Sequence, residues 1–229
     1  MKDNKPQCAL CPYDWTDRFC RHEAGKAPKN CPTARHRGLI EQSMAAVQSG
    51  PFCELARAAS ILEGEGYADK DKGYRLVRPI RPRILEVIEF AKKMRFEPVA
   101  LIFCIGLRQE AAVVHRIFER HGLKVMSIAC KVGRAPKEAM GLTEDQKIAP
   151  GSFESMCNPI LQASLANLYN SQFNILLGLC VGHDSLFFKH ADAPSTVLAV
   201  KDRVLGHNPL AAVYQLESYY RYTNVPEDP

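Results

Sequence analysis

The chain from residue 98 onward alternates between short apolar runs and longer segments in which apolar residues recur every three or four positions. A short apolar run bounded by polar residues predicts a buried strand, and the longer period predicts a helix with one apolar face. Each predicted strand is followed by a predicted helix. The strands fall at 98–104, 124–130, 173–180 and 195–201, and the helices at 107–121, 158–170, 184–190 and 208–220.

The same pattern predicts the fold class. Strands that are apolar along their whole length and separated by helices are typical of a parallel sheet covered on both faces. Right-handed connections bring the carboxyl ends of these strands to one edge of the sheet. We therefore predict an α/β fold with an open, mostly parallel four-stranded sheet in the strand order 2-1-3-4. Ligands bind in such sheets beyond the carboxyl ends of the strands, where the strand order reverses.

The chain before this pattern is more polar, and its composition predicts two further parts. Residues 1–36 contain four cysteines and few aliphatic residues, which predicts a metal-binding cap that does not fold alone. Residues 37–81 predict a helical segment and a charged connector, with helices at 38–48 and 51–67. Residues 82–229 then form the doubly wound α/β domain.

Eight of the nine cysteines fall into two sets of four, and Cys53 is left over. The first set has the spacing C-x2-C-x8-C-x10-C and comprises Cys8, Cys11, Cys20 and Cys31. Zn²⁺ binds four cysteines, or three with a histidine such as His22 or His36, and a [4Fe–4S] cluster also takes four cysteines. The spacing matches neither the usual zinc ribbon nor the ferredoxin motif, so the sequence predicts a metal site and leaves zinc and iron open.

The second set of cysteines lies at the ends of predicted elements. Three of them close predicted strands and one stands just before a predicted helix, so we expect them to line one crevice at the carboxyl edge of the sheet. They are Cys104, Cys130, Cys157 and Cys180. Four thiolates close an iron–sulfur cluster and suit electron transfer, whereas three leave one iron open to a small ligand. The sequence favours Cys130, Cys157 and Cys180, with Cys104 as the fourth candidate because it lies within an apolar run.

Three polar residues are predicted to complete this edge. His183 is the predicted general acid–base or an outer metal ligand. Lys201 and Arg203 follow the last predicted strand and are expected to hold a small anionic substrate, although a triplet of surface charges explains them equally well. The segment 131–156 is long for a connection, which predicts either a lid over the edge or a loop that positions Cys157.

Polar residues also predict where three helices begin. Asn158 and Asn208 each precede a proline, a combination that is typical of an N-cap followed by the first helical residue. Asp184 is the predicted N-cap of the helix that follows the third strand. Cys157 would then lie just outside a helix N-terminus, where the helix dipole favours a thiolate.

These segments together resemble an uncharacterised prokaryotic family described as metal-binding proteins, a domain of unknown function. The resemblance covers nearly the whole chain and is carried, in this order, by CALC…C…NCP, FCIGLRQEA, ACKVG, MCNPILQASLANL, GLCVGHDSLFFK and KDRVLGHNPLAAVY. It implies that the protein binds metal, which supports the two cysteine sets as ligands, and it implies no reaction.

Composition and motifs narrow the class of function. The formal net charge is +5, but the thiolates of two clusters would offset about four of these charges, so we predict no nucleic-acid binding. The polar start MKDNKPQ and the lack of a long apolar run predict a cytoplasmic protein with reduced thiols and no membrane association. Neither GxGxxG nor GxxxxGK[ST] occurs, which argues against a nucleotide cofactor.

The sequence therefore predicts an iron–sulfur protein with one or two [4Fe–4S] clusters, acting on a small anionic substrate or on electrons from a redox partner protein. Two alternatives stay open: a zinc-binding module without catalysis, and a metal-free thiol enzyme with Cys180 as its nucleophile. Whether the protein is an enzyme also stays open. An open iron would suit a lyase or a sulfur-removing enzyme, and a closed cluster would suit an oxidoreductase.

Overall fold

The computed structural model describes residues 5–225 as two compact units, one ending at Ile61 and one beginning at Leu62. The first unit contains α1 (Pro32–Arg35), α2 (Arg37–Ser49) and most of α3 (Cys53–Glu65). The two helices predicted here are confirmed to within two residues at each end. Within residues 5–225, no helix is long and apolar enough to cross a membrane. The three-part division that the composition suggested stays a prediction.

The second unit begins with the predicted connector, which carries a small antiparallel sheet. In this sheet β1 (Tyr67–Ala68) pairs with β2 (Arg78–Pro79). The next element is α4 (Arg83–Lys93), which buries Val87, Ile88 and Ala91 on one face. The single-sided apolar pattern of this helix is what the sequence predicts for an element packed against a sheet.

A four-stranded, all-parallel sheet forms the centre of the second unit. Its strands are β3 (Val99–Phe103), β4 (Val125–Ala129), β5 (Phe173–Leu177) and β6 (Ser195–Ala199). The spatial order β4-β3-β5-β6 confirms the predicted order 2-1-3-4. Phe103 is paired with Ala129 on one side and Leu177 on the other, so β3, β4 and β5 end level with one another at the carboxyl edge.

Helices cover both faces of this sheet, as predicted. Besides α4 they are α5 (Arg108–Arg120), α6 (Pro159–Leu168) and α7 (His183–His190). Alternate residues of a strand point to opposite faces. Val99 and Leu101 of β3 therefore pack in one cluster with α4 and α5, whereas Ala100 and Ile102 pack in another with α6 and α7. All four of these β3 side chains are fully buried. Packing on both faces therefore holds β3 in place, and with it the carboxyl end of the strand.

The prediction that β5 runs to residue 180 is wrong, because the strand ends at Leu177. Gly178 has a φ of 66°, in the left-handed region that only glycine adopts readily. A Cβ at this position would also meet the buried Leu107 side chain at 2.6 Å. The chain therefore leaves the sheet at Gly178, and Cys180 lies in the turn that follows rather than at the end of the strand.

The predicted helix at 208–220 is also largely wrong. The structure has only α8 (Leu210–Val213) there, followed by turns. Leu210 and Val213 are each 54 % exposed and Tyr214 is 76 % exposed. A helix in a protein gains most of its stability by burying an apolar face. Most of the large apolar side chains of this segment are exposed, so little burial is available to stabilise a long helix.

One of the three predicted N-caps is confirmed. The Asn158 side chain accepts a hydrogen bond from the Leu161 N–H at 2.9 Å at the start of α6. Asp184 is not an N-cap, because α7 already begins at His183. Asn208 is not one either, because α8 begins two residues later and its start has no side-chain cap. Cys157 therefore lies just before the capped start of α6, as predicted.

Candidate functional site

The four N-terminal cysteines line one pocket in the first unit, which we call the N-terminal pocket: Cys8, Cys11, Cys20 and Cys31. Cys8 opens a short 3₁₀ turn that Cys11 closes, and Cys31 directly precedes α1. The pocket encloses about 50 Å³ and opens to solvent. Cys31 is only 9 % exposed, whereas Cys8 and Cys20 are exposed, so solvent reaches this pocket.

Backbone and side-chain hydrogen bonds fold the pocket loops back on themselves. The Phe19 N–H donates to the Lys26 carbonyl at 3.0 Å, which closes the loop that carries Cys20. The Asn30 side-chain amide donates to the Lys5 carbonyl at 3.0 Å, which ties the first described residues to the segment before α1. The four cysteines, although spread over 24 positions, therefore converge through loop geometry rather than through a shared helix or strand.

A second group of thiols lies at the carboxyl edge of the sheet, where backbone hydrogen bonds continue past the strand ends. The Cys104 N–H donates to the last carbonyl of β5 at 3.1 Å. The Cys130 N–H donates to the last carbonyl of β3 at 2.9 Å. The N–H of Asn158, the neighbour of Cys157, donates to the Cys130 carbonyl at 2.8 Å. These bonds fix the three cysteine backbones relative to one another.

The three sulfurs form one hydrogen-bonded group, which we call the edge trio: Cys104, Cys130 and Cys157. The Sγ atoms of Cys130 and Cys157 are 3.6 Å apart. The Cys104 thiol is also hydrogen-bonded to Cys130. The Ile105 N–H donates to the Cys130 sulfur at 3.3 Å. Cys130 is therefore the middle member of the trio.

Hydrogen bonding within the edge trio shifts the three thiol pKa values in opposite directions. The bond with Cys130 is the main reason why the pKa of Cys104 falls to about 5, against the opposing effect of burial. A bond with Cys130 is likewise the main reason why the pKa of Cys157 falls to about 6. The same two bonds, together with burial, raise the pKa of Cys130. At neutral pH the proton of the trio therefore resides on Cys130, between sulfurs that favour the thiolate.

Basic side chains add to this effect. The ammonium group of Lys201 stabilises the Cys104 thiolate by charge and by a hydrogen bond. Lys131 does the same for Cys157, and His183 contributes a further favourable charge there. Of the residues predicted from the sequence, His183 and Lys201 thus lie close enough to act on the edge trio.

Cys180 has a different partner. It lies in the turn between β5 and α7, and Arg203 Nη2 donates to its sulfur at 3.1 Å. The sequence favoured Cys180 over Cys104 as a companion of Cys130 and Cys157. The structure instead brings Cys104 to Cys130, because Cys104 directly follows β3 and Cys130 directly follows the neighbouring strand β4. That Cys180 is a ligand stays a prediction.

Gln162 is a site residue that sequence reasoning missed. It is fully buried on α6, and its amide nitrogen donates to the carbonyls of Phe103 at 3.3 Å and Ile128 at 2.8 Å. Those carbonyls belong to β3 and β4 just before Cys104 and Cys130. Gln162 therefore joins the two strand ends that present the edge trio. The signal in the sequence was a polar residue on the buried face of an otherwise apolar helix.

The segment 131–156 is a closed, internally bonded loop. Its two ends pair with each other, since the Lys137 N–H donates to the Glu154 carbonyl at 3.0 Å and the Met156 N–H donates to the Ala135 carbonyl at 2.8 Å. Its middle is held by Lys147, whose side chain is 2 % exposed. These bonds support the prediction that the loop positions Cys157 rather than the prediction of a lid.

The thiols of both sites are suitable ligands for thiophilic metals, but in this structure they are not arranged around one metal position. All nine cysteines are free thiols. Within residues 5–225, no group of three or more His, Cys, Asp or Glu side chains is arranged to hold one metal ion. The N-terminal pocket is open rather than collapsed. It offers one thiol for each of four ligand positions.

Comparison with known proteins gives a family match and no function. The model of the family described as "Protein of unknown function (DUF1847)" matches residues 31–198. This span contains Cys31 and all four edge cysteines and begins after Cys20. An uncharacterised protein of Methanocaldococcus jannaschii is 43 % identical over 134 residues, which cover 58 % of this chain and 67 % of that protein. No solved structure matches.

Proposed function

The chain belongs to the DUF1847 family of unknown function, and we propose that it is a metal-binding protein with two cysteine-ligated centres. The first centre is an iron–sulfur cluster in the N-terminal pocket, and the second lies at the carboxyl edge of the sheet. The observation that carries the proposal is that the four N-terminal cysteines line one pocket. In the reducing cytoplasm, where we place the protein, converging cysteines are more often metal ligands than disulfides.

The number of thiols in the N-terminal pocket supports a cluster there. A zinc ion holds its thiolates at bonds of about 2.3 Å, which sets neighbouring sulfurs about 3.8 Å apart. A [4Fe–4S] cluster instead takes one thiolate on each of its four irons. The four cysteines that line the pocket supply these four ligands.

The edge trio favours a second candidate metal. The Cys130 and Cys157 sulfurs are 3.6 Å apart, close to the spacing of about 3.8 Å that a tetrahedral zinc ion sets. Two of the three thiols already have a lowered pKa, so only Cys130 must give up a proton when a metal binds. Zinc at the edge and a cluster in the N-terminal pocket are compatible within one protein.

The basic residues around the edge trio give the second centre its proposed role. A bound metal would supply a Lewis acid or an electron there. Lys201 and Arg203 would hold the negatively charged part of a small substrate, and His183 would move a proton. Without a substrate, the same cations offset the charge of the thiolates. A redox partner protein would take the place of the substrate if the edge centre transfers electrons.

The first test is the content of iron, acid-labile sulfide and zinc per chain in anaerobically purified protein, with an absorption spectrum. Iron and sulfide at about four each, with about one zinc, would support a cluster and an edge zinc site. About eight iron atoms and eight sulfides per chain would indicate a second cluster, which we would assign to the edge. Protein that contains neither iron nor zinc, and takes up neither when reconstituted under reducing conditions, would overturn the proposal.

A further inference from the structure

We propose that the edge trio, when free of metal, performs thiol–disulfide exchange with small anionic disulfides, with Cys157 as the attacking thiol and Cys130 as the resolving thiol. This activity is separate from metal binding, and it requires no metal. It depends on two sulfurs that already touch, on their unequal exposure, and on the charge around them.

The two sulfurs are in van der Waals contact, so an attack by one on the other needs only a short approach. The Sγ atoms of Cys130 and Cys157 are 3.6 Å apart, and a disulfide bond is about 2.05 Å long. The backbones are held close by the Asn158 N–H bond to the Cys130 carbonyl. Neither thiol is part of an existing disulfide, so the pair can be oxidised directly.

Exposure assigns the roles of the two thiols. Cys130 is 3 % exposed, whereas Cys157 is partly exposed. A disulfide in solution therefore reaches Cys157 first, and Cys130 is then in place to attack from the protein side. The Ile105 N–H, which donates to the Cys130 sulfur, stabilises negative charge on that sulfur during the second step.

The charged side chains that act on these thiols are basic, which favours an anionic substrate. Lys131 and His183 act on Cys157, and Lys201 acts on the neighbouring Cys104. Arg203 lies against Cys180 on the same edge of the sheet. A carboxylate-bearing disulfide would be attracted by these groups, and a cationic disulfide would be repelled.

The reaction balances without a metal. The Cys157 thiolate attacks one sulfur of the substrate, forms a mixed disulfide and releases the first substrate thiolate, which takes up a proton. The Cys130 thiol loses its proton and attacks the Cys157 sulfur, which forms the Cys130–Cys157 disulfide and releases the second substrate thiol. The substrate disulfide gains two electrons from the two cysteines, and its two thiols take one proton from Cys130 and one from the solvent.

The test uses reduced, metal-free full-length protein and oxidised glutathione, with tryptic peptides mapped by mass spectrometry. We expect a Cys130–Cys157 linkage, with two glutathione thiols released for each linkage formed. Cys130→Ser is expected to accumulate a mixed disulfide at Cys157, and Cys157→Ser to lose the fast reaction, whereas Cys53→Ser should react like the native protein. Cystamine, which is cationic, should react about tenfold more slowly than oxidised glutathione after correction for their rates with a free thiol.

Three results would overturn the inference: no Cys130–Cys157 linkage in the native protein, modification of Cys53 as fast as Cys157, or faster reaction with the cationic disulfide. The linkage in native protein can be scored even if a variant fails to fold. Metal uptake is measured separately on the same preparation. Protein that forms the linkage and binds no metal would overturn the proposed function alone, and protein that binds metal without forming the linkage would overturn this inference alone.

Discussion

At the scale of single residues, Gln162 connects the helix that follows Cys157 to the two strands that directly precede Cys104 and Cys130. Its amide nitrogen satisfies two carbonyls at the carboxyl ends of β3 and β4. Its side-chain oxygen is buried and has no hydrogen-bond partner within the described residues. A buried polar group in an otherwise apolar helix face is costly. The cost is offset here by the two strand ends that the amide holds together.

Replacing Gln162 by Ala should destabilise the α/β unit and loosen the edge trio. The substitution removes a donor from two carbonyls, of which that of Phe103 keeps the Cys130 N–H, and it opens a cavity, so we expect the free energy of unfolding to fall by about 3 kcal/mol. Denaturant unfolding of the metal-free protein measures this. Gln172→Ala is the matched control, since that exposed side chain accepts one hydrogen bond and should cost less than about 1 kcal/mol. Equal losses in both variants would contradict the role of Gln162.

At the scale of elements, the loop 131–156 is held by a buried lysine between two carboxylates. Lys147 Nζ donates to Glu138 at 2.6 Å, to Glu144 at 2.7 Å and to the Ser152 carbonyl at 2.8 Å. The Glu144 carboxylate also accepts from a backbone N–H at Gly151. A loop of this length has few apolar contacts, so these charged hydrogen bonds set its conformation and the position of Cys157 that follows it.

The order of this loop should depend on pH. Hydrogen bonds from Lys147 lower the pKa of Glu138 and Glu144, and one from Lys137 lowers that of Glu154, below the usual 4.5. A carboxylate with a lowered folded-state pKa stabilises above its unfolded pKa, and this stabilisation is lost as the pH falls through the folded value. We therefore expect the loop to be ordered at pH 7 and to loosen below about pH 4.5.

Hydrogen exchange at the backbone N–H groups of Ile148 and Gly151, corrected for intrinsic rates, measures this change, since both donate to glutamate carboxylates. Lys147→Met should loosen the loop already at pH 7 and remove most of the pH effect. The strand β3, which is fully buried, serves as the internal reference. Protection of the two groups that is unchanged between pH 7 and pH 3.5 would contradict the assignment.

At the scale of the whole molecule, the two cysteine groups lie in different compact units. The N-terminal pocket belongs to the unit that ends at Ile61, and the edge trio belongs to the unit that begins at Leu62. The described part of the first unit has only Cys31 and Ala58 as buried apolar residues. A core of this size supplies little hydrophobic stabilisation, so a metal in the pocket would carry much of the folding free energy of that unit.

Variants of each group should therefore lose one centre and keep the other. Cys20→Ser is expected to remove the iron and sulfide of the N-terminal pocket while the edge metal stays bound, and Cys130→Ser is expected to do the reverse. Elemental analysis of anaerobically purified protein measures both, with Cys53→Ser as the control that retains all metal. Cys180→Ser separates a three-ligand from a four-ligand edge centre. Loss of all metal in every variant would show that the centres are not independent.

Particular residues show how far the sequence alone leads. The order of β4, β3, β5 and β6 follows from apolar runs and right-handed connections, and the gathering of cysteines at one edge follows from that order. The sequence does not determine which of the four edge cysteines lie in contact with one another. Cys104 reads as core because it continues an apolar run, yet the pairing of β3 with β4 sets it beside Cys130. The segment 208–220 has the period of a helix, but most of its large apolar side chains are exposed.

The sequence by itself determined the α/β class, the strand order and the two sets of cysteines, because hydrophobic periodicity and connection rules are local properties of the chain. The tertiary structure decided which thiols touch, since that depends on strand register and on where each strand ends. It decided that Gly178 ends β5 early and leaves Cys180 with Arg203, and that a closed loop delivers Cys157 to Cys130. Contacts between residues 26 or 27 positions apart arise only when the sheet is assembled, and they determine the chemistry of this edge.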